Sequence, residues 1–336
     1  MSRYVVINLP IEPIQNRYSV QWDAWFRQAF VRNNIPVIHA SGREHEQVPL
    51  NPSHFSNPVL TWKWKFQQLY QLVNVIDCRS DIDRFVVFLQ DGWMPGTEAL
   101  EFISKIAGVP IRVCAFWHAG SYLGTDILNE HKCDWWSAAS ESAWLAIAHT
   151  IFMGSEYHKK AVGPFPSIKK KIIVTGCPID VPLSLSTSKA REPIVIWPHR
   201  PSPGKCPELF DRLAAEPRFK DVQFIKTTNV CKTKEEFYQL LRRAKVAVST
   251  AAHETFGISM VEAACSGCHI AVPNSLSYPE LFTGDLRYDN YEQLVELVEA
   301  HLKEEKPYQY PLQNQYQQKF VTDTICYHLE KAGKET

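Results

Sequence analysis

Short, largely apolar runs recur along this 336-residue chain, and the stretches between them carry apolar residues at three- and four-residue spacing. Strands buried on both faces of a parallel sheet read as continuous apolar runs, and joining them requires crossover helices. In the first half Tyr4 to Asn8, Phe85 to Gln90, Ile111 to Trp117 and His149 to Gly154 have the strand character, with Val20 to Arg32 and Leu60 to Ile76 as crossovers. The rhythm stops after Val174. Gly176 to Pro193 has no periodicity, three prolines and a run of Ser and Thr, which is the composition of a linker. It resumes with strands at Ile194 to Trp197, Val222 to Lys226, Val246 to Ser249 and His269 to Val272, and the chain closes on a polar helix from Pro311 to Lys331. The fold class is therefore α/β, with two Rossmann-like domains, residues 1–180 and residues 181–336, the second including the terminal helix. Open α/β sheets bind ligands at the carboxyl ends of their strands, so two such sheets facing an interdomain cleft would set the chemistry there.

Charge and cysteine content narrow the options further. Lys plus Arg equals Asp plus Glu at 36 each, so no overall field points to a polyanion or a membrane surface. No apolar stretch approaches the roughly 18 residues needed to span a bilayer, and the start lacks a leader pattern. A soluble, cytoplasmic protein without a membrane span is expected. The nine cysteines are scattered; Cys265 and Cys268 have C-x-x-C spacing but no second ligand pair, so a structural role is expected and no metal site.

Two strings carry chemistry. In Ser249-Thr-Ala-Ala-His-Glu-Thr-Phe-Gly-Ile-Ser-Met-Val-Glu262, a strand runs through a turn into a helix starting near Ser259. Gly257 permits close backbone approach, and the opening amides of the helix form a cradle for an anion. Glu254 on the loop and Glu262 in the helix could each grip the hydroxyls of a polyol; the plain alternative makes Glu254 a helix cap and Glu262 an ordinary helix residue. In Ile194-Val-Ile-Trp-Pro-His-Arg-Pro-Ser-Pro-Gly-Lys205, a strand enters a turn stiffened by three prolines, which holds Arg200 and Lys205 ready for a diphosphate. Its alternative is a solvated basic loop.

Together these strings resemble the donor domain of the retaining family-four glycosyltransferases, which have the GT-B architecture. The E-x7-E signature of that family is matched by Glu254 and Glu262. The pattern Trp197-Pro-His-Arg, Lys205, Pro207-Glu, Ser249-Thr-Ala, His253-Glu, Phe256-Gly, Glu262-Ala, Gly267-Cys and Tyr278-Pro-Glu280 is similar to that of the tRNA-queuosine mannosyltransferase group, and the likeness runs from about residue 194 to 285. It implies a nucleotide-sugar donor, and with Arg200, Lys205 and the helix start near Ser259 supplying positive potential, no metal or other cofactor is expected. It places Arg200 and Lys205 on the donor diphosphate, Glu254 and the backbone around Phe256, Gly257 and Ile258 on the transferred sugar, and Glu262 on the ribose.

In the first half Phe116-Trp-His-Ala-Gly-Ser-Tyr122 puts His118 at the carboxyl end of a strand. The resemblance implies that such a histidine reaches the donor sugar; the alternative is a histidine satisfied by backbone. Asp91 ends another apolar strand and is an acceptor candidate, as is Asp126, although a turn-forming aspartate accounts for the latter too. The first loop reads Leu9-Pro-Ile-Glu-Pro13 where the family has a glycine-rich turn, so the acceptor side is built differently, with Glu12 and Arg17 as candidates. Pro10-Ile-Glu-Pro, Arg17-Tyr18, Gln21-Trp22 and His118 to Tyr122 resemble glycosyltransferase-like proteins of phages with modified DNA. That resemblance turns the acceptor towards a hydroxylated modified base in DNA or tRNA. Trp62-Lys63-Trp64-Lys65 interleaves aromatic and basic residues, and Lys169 to Lys171 adds a basic run, both suited to nucleic acid, while a helix with half-buried tryptophans explains the first equally well. Asp81 and Asp83 form a D-x-D pair, but they precede a strand, where a solvated turn is expected. The alternatives are transfer to a small molecule or glycan, and an inactive sugar-nucleotide or nucleic-acid binding module.

Overall fold

The computed structural model describes residues 3–14, 17–43, 57–124, 126–162, 168, 171–181, 191–311 and 314–335. Residues 182–190 of the expected linker, and Lys169 and Lys170 of the basic run, lie outside the described residues. The chain divides into two units. The first begins with β1 (Tyr4–Leu9), α1 (Tyr18–Arg32), β2 (Val37–His39), α2 (Pro58–Cys78), β3 (Arg84–Leu89), α3 (Ala99–Ala107), β4 (Ile111–Trp117), α4 (Asp134–Ile147), β5 (Ala148–Met153) and β6 (Ile172–Val174). The second, Ile179–Gln317, holds β7 (Glu192–Trp197), α5 (Pro207–Ala214), β8 (Gln223–Lys226), α6 (Lys234–Arg243), β9 (Ala244–Val248), α7 (Ile258–Cys265), β10 (His269–Pro273), β11 (Arg287–Tyr288) and α8 (Tyr291–Lys303). The closing helix, α9 (Gln318–Lys334), belongs to the first unit.

The first unit is a parallel sheet in the order β2-β1-β3-β4-β5-β6. On one face Ile7, Val87 and Val113 of the strands pack with Leu72 of α2 and Leu100 of α3. On the other, the α1 rings Trp22 and Phe26 lie edge-on to Phe116 and Phe88, at 4.9 and 5.1 Å between centroids. The four expected strands thus sit centrally, and the short edge strands β2 and β6 escaped the pattern because three residues carry no period.

The second half does not keep its terminal helix, a correction to the domain reading. In α9 the residues Val321, Ile325, Leu329 and Ala332 recur at helical spacing and are fully buried, each a burial worth about 1 to 3 kcal/mol for the larger side chains. They cover the α1 face of the first sheet. Asp323 receives Arg32 Nε at 3.0 Å and Asn33 Nδ2 at 2.7 Å, and Gly333 lies so close to Tyr4 that a Cβ there would come within 2.3 Å of its ring. The helix looked polar because its other face is.

The second unit is a parallel sheet ordered β11-β10-β9-β7-β8. From β7 the chain moves to β8 on one side, then returns to β9 on the other, so the switch in strand order falls between β7 and β9. Open α/β sheets take ligands at the carboxyl ends of the strands beside such a switch. Val195, Trp197, Val246 and Val248 form its core with Phe210 and Leu213 of α5 and Leu294 and Val298 of α8. Cys265 and Cys268 are free thiols, and Cys268 Sγ donates to the Leu241 carbonyl at 3.2 Å, in keeping with the structural role expected of the C-x-x-C pair.

Candidate functional site

Both strings singled out in the second half end at that switch point, and they are knitted together. The Gly204 carbonyl accepts the amides of Ala252 and His253 at 3.1 and 2.9 Å, and Trp197 Nε1 donates to Thr250 Oγ1 at 2.8 Å. Lys205 Nζ is thereby delivered to the loop after β9, where it donates to the His253 carbonyl and to Glu254 Oε2, the latter at 3.0 Å. The other carboxylate oxygen receives the Thr255 amide at 3.1 Å. Burial works against charge on Glu254, yet the Lys205 ammonium beside it holds the carboxyl down at about 2, so it is ionised at neutral pH and acts only as an acceptor.

Around this pair the histidines are kept neutral. Burial, then the Lys205 and Arg200 cations against the opposing pull of Glu254, lower His199 to about 3 and His253 to about 4. His199 Nε2 lies 2.8 Å from Ser249 Oγ, itself 2.7 Å from the buried Tyr278 hydroxyl. Tyr278 explains the glycine. Gly257 caps α7 with φ +94°, and a Cβ on it would stand 2.9 Å from the Tyr278 ring, so both backbone and space select glycine. The amides of Ile258 and Ser259 precede the first intrahelical bonds of α7, which run from Met260 and Val261 to the Gly257 carbonyl at 3.0 and 3.1 Å. The Phe256 side chain is buried edge-on to Tyr316 at 5.3 Å, its amide lies 3.4 Å from Glu254 Oε1, and its carbonyl accepts Ser277 Oγ at 3.0 Å.

Glu262, one turn further into α7, is buried and already partnered: Lys234 Nζ donates to its two oxygens at 2.5 and 2.8 Å, and the Tyr238 hydroxyl to Oε1 at 2.8 Å. Sequence reasoning missed Lys234 and Tyr238. The available signal was a Lys and a Tyr four apart on a helix opened by the Thr233 and Glu236 capping box.

In the first unit His118 follows β4. Its Nε2 lies 2.8 Å from the Gln90 carbonyl; a carbonyl only accepts, so Nε2 carries the proton and Nδ1 faces the Tyr18 hydroxyl at 3.4 Å. Burial lowers its pKa, which leaves a neutral ring with one acceptor nitrogen. Asp91 has Lys65 Nζ at 2.8 Å and the Trp93 amide at 3.2 Å. Burial raises its pKa, and the Lys65 ammonium, with His118 and the Trp93 amide, more than reverses the effect, so Asp91 is half of an ion pair. Glu12 accepts from Thr61 Oγ1 at 2.7 Å, and Arg17 sits over the Tyr18 ring at 5.2 Å. Asp126 caps the short helix Ile127–Glu130 through the Leu128 amide at 3.0 Å, the turn role weighed against acceptor contact.

The Trp62 to Lys65 string does not make one basic and aromatic surface, because successive helical residues point about 100° apart. Trp64 and Lys65 are buried, while Trp62 packs on Trp93 at 5.8 Å. Asp81 is bound by Arg79 and Asp83 accepts the Arg3 amide, both ahead of β3. Among the described residues no group of three or more His, Cys, Asp or Glu side chains gathers as a metal site. No helix among them is long and apolar enough to cross a membrane.

No family model matches the chain. Over 56 residues it is 41% identical to the tRNA-queuosine alpha-mannosyltransferase of Drosophila melanogaster, a stretch covering 17% of this chain and 15% of that protein. Among solved structures it is similar to Anabaena HepE in complex with UDP and glucose, with TM-score 0.53 and 12% identity over 98% of this chain and 97% of that one. It is also similar to sucrose-phosphate synthase from Thermosynechococcus elongatus, with TM-score 0.60 and 10% identity over 98% and 94% of the two chains. At such identities the likeness is one of fold, and that fold is the GT-B architecture of two parallel α/β sheets.

Proposed function

We propose that this chain moves a sugar from a nucleotide-sugar donor to an acceptor hydroxyl, with retention at the anomeric carbon and without a divalent cation. The observation that carries this reading is the Lys205 and Glu254 pair, joined at 3.0 Å at the switch point of the second sheet ahead of the opening of α7, with Arg200 near enough to act on His199 and His253 beside it. Two cations and a helix start suit a leaving diphosphate, and an ionised carboxylate beside them suits sugar hydroxyls. In the reaction the bond from the anomeric carbon to the diphosphate oxygen breaks and a bond to the acceptor oxygen forms. The departing phosphate oxygen takes the acceptor proton from the same face, so no protein base is required. Charge grows on the diphosphate as it leaves, and fixed cations there stabilise the transition state more than the ground state.

His118 keeps its proposed contact with the donor sugar, for which a neutral ring with an acceptor nitrogen is suited. The residues proposed for the acceptor are Glu12 and Asp91. A hydroxylated modified base in DNA or tRNA is the acceptor we favour, on the likeness of one segment to the tRNA-queuosine mannosyltransferase. The deciding experiment incubates the protein with a panel of nucleotide sugars and with tRNA or DNA, then measures nucleoside masses. A hexose or pentose increment on one nucleoside supports the reading. Neither transfer nor donor hydrolysis with any sugar would overturn it, and transfer to glycans or small molecules alone would remove the nucleic-acid acceptor.

A further inference from the structure

Helix α2 is apolar on two faces. Trp64, Gln68 and Leu72 turn inward, Leu72 packing on the first sheet. On the outer face Val59, Phe66, Tyr70 and Val73 are 59%, 57%, 71% and 45% exposed. With Lys63 and Asp77, also exposed, these positions step by alternating four and three residues over the length of the helix, which is the seam spacing of a helix that pairs with another. A surface helix ordinarily turns a polar face to water, and one apolar all round is covered on both sides. Phe102 and Ile106 of α3, from the same layer, are exposed as well at 67% and 73%, so the apolar surface is broader than one stripe.

The charges say what covers it. Lys63 and Asp77 bracket the apolar centre, one towards each end, and both are exposed. We infer that a second copy of this chain docks on α2, antiparallel, about a two-fold axis between Phe66 and Tyr70. Phe66 then packs on Tyr70 of the second copy. Lys63 faces residue 73 of that copy, and Asp77 lies one turn further, about 6 Å along the axis, within reach of a lysine. The stripe is therefore self-complementary: apolar at its middle, with opposite charges brought together at both ends, as an isologous interface requires. This inference is independent of the transferase reading, since none of the four residues belongs to the site proposed for it.

Sedimentation equilibrium over roughly 1 to 100 μM protein tests it. The fitted mass should rise from the chain mass of 38.6 kDa towards twice that value. Tyr70→Ser should hold the protein at the monomer mass. Lys63→Glu and Asp77→Lys should each weaken association by at least about tenfold, since every change recurs on both sides of the axis. Their combination should recover the wild-type dissociation constant. All four variants lie on an exposed face, and unchanged circular dichroism and melting temperature certify their folding. A monomer throughout the range overturns the inference. So does a dimer indifferent to both charge reversals, or a double variant no better than the single ones. Impaired oligonucleotide binding by these variants without any change of mass would assign the stripe to nucleic acid instead.

Discussion

Replacing Lys205 by Ala removes an ammonium whose side chain is only 12% exposed and which lies 3.0 Å from Glu254, itself 17% exposed. Two consequences follow from that geometry. If Lys205 meets the leaving diphosphate as proposed, such a preorganised charge contributes about 2 to 4 kcal/mol to the transition state, so kcat should fall roughly 30- to 1,000-fold. Glu254 also loses the cation that overcomes its burial, so its carboxyl should climb from about 2 into or beyond the ordinary carboxylate range. The variant should then gain an acid limb in its rate profile between about pH 4 and 6 that the wild type lacks. Single-turnover release of nucleoside diphosphate at saturating donor, with circular dichroism at each pH, measures both effects. Glu254→Gln should show no such limb, with or without Lys205. A rise in donor KM with unchanged kcat, or an acid limb unmoved by the loss of Lys205, would refute the argument.

Stability should depend on pH through the buried imidazoles of the second unit. His199, His253 and His301 are lowered by burial to about 3, 4 and 4, so between those values and the ordinary histidine range the unfolded chain binds more protons. Stability is complete above about pH 6.5 and is lost as the pH falls towards 4, with Glu254, likewise depressed, adding its own loss only below about 4.5. Thermal melts of wild type and His301→Asn across pH 4 to 7 should show a shallower decline for the variant. Gly257→Ala should lower stability by about 1 to 3 kcal/mol and abolish transfer, because the residue has φ +94° and the Tyr278 ring is 2.9 Å from the new Cβ; wild-type melting and turnover would contradict this. Leu329→Ala, in the core beneath α9, should cost about 2 to 5 kcal/mol in denaturant titrations, and a loss under 1 kcal/mol would mean that α9 is not part of that core. Transfer should survive EDTA; dependence on added Mg²⁺ or Mn²⁺ would return attention to Asp81 and Asp83.

Much of this protein was legible in the chain because much of it is local. A run such as Val86 to Leu89 is apolar on both faces whatever surrounds it, and Glu254 and Lys205 sit on loops whose prolines and glycine announce their shape. Those features determined the α/β class, the two sheets and the loops that carry the candidate site. Tertiary structure decided the partners. Asp91 becomes an ion pair because Lys65 reaches it from α2, and Glu262 is held by Lys234 and Tyr238, 28 and 24 residues earlier in the chain. Of the two readings open for Trp62 to Lys65, a nucleic-acid surface or a helix with half-buried tryptophans, the helical turn decided for the second by burying Trp64 and Lys65. The closing helix α9, polar on the face it turns outward, found its place beside Arg32, 291 residues before Asp323. An ionisable residue's role depends on which charge and how much water stand next to it, and over such separations only the folded chain brings those neighbours together.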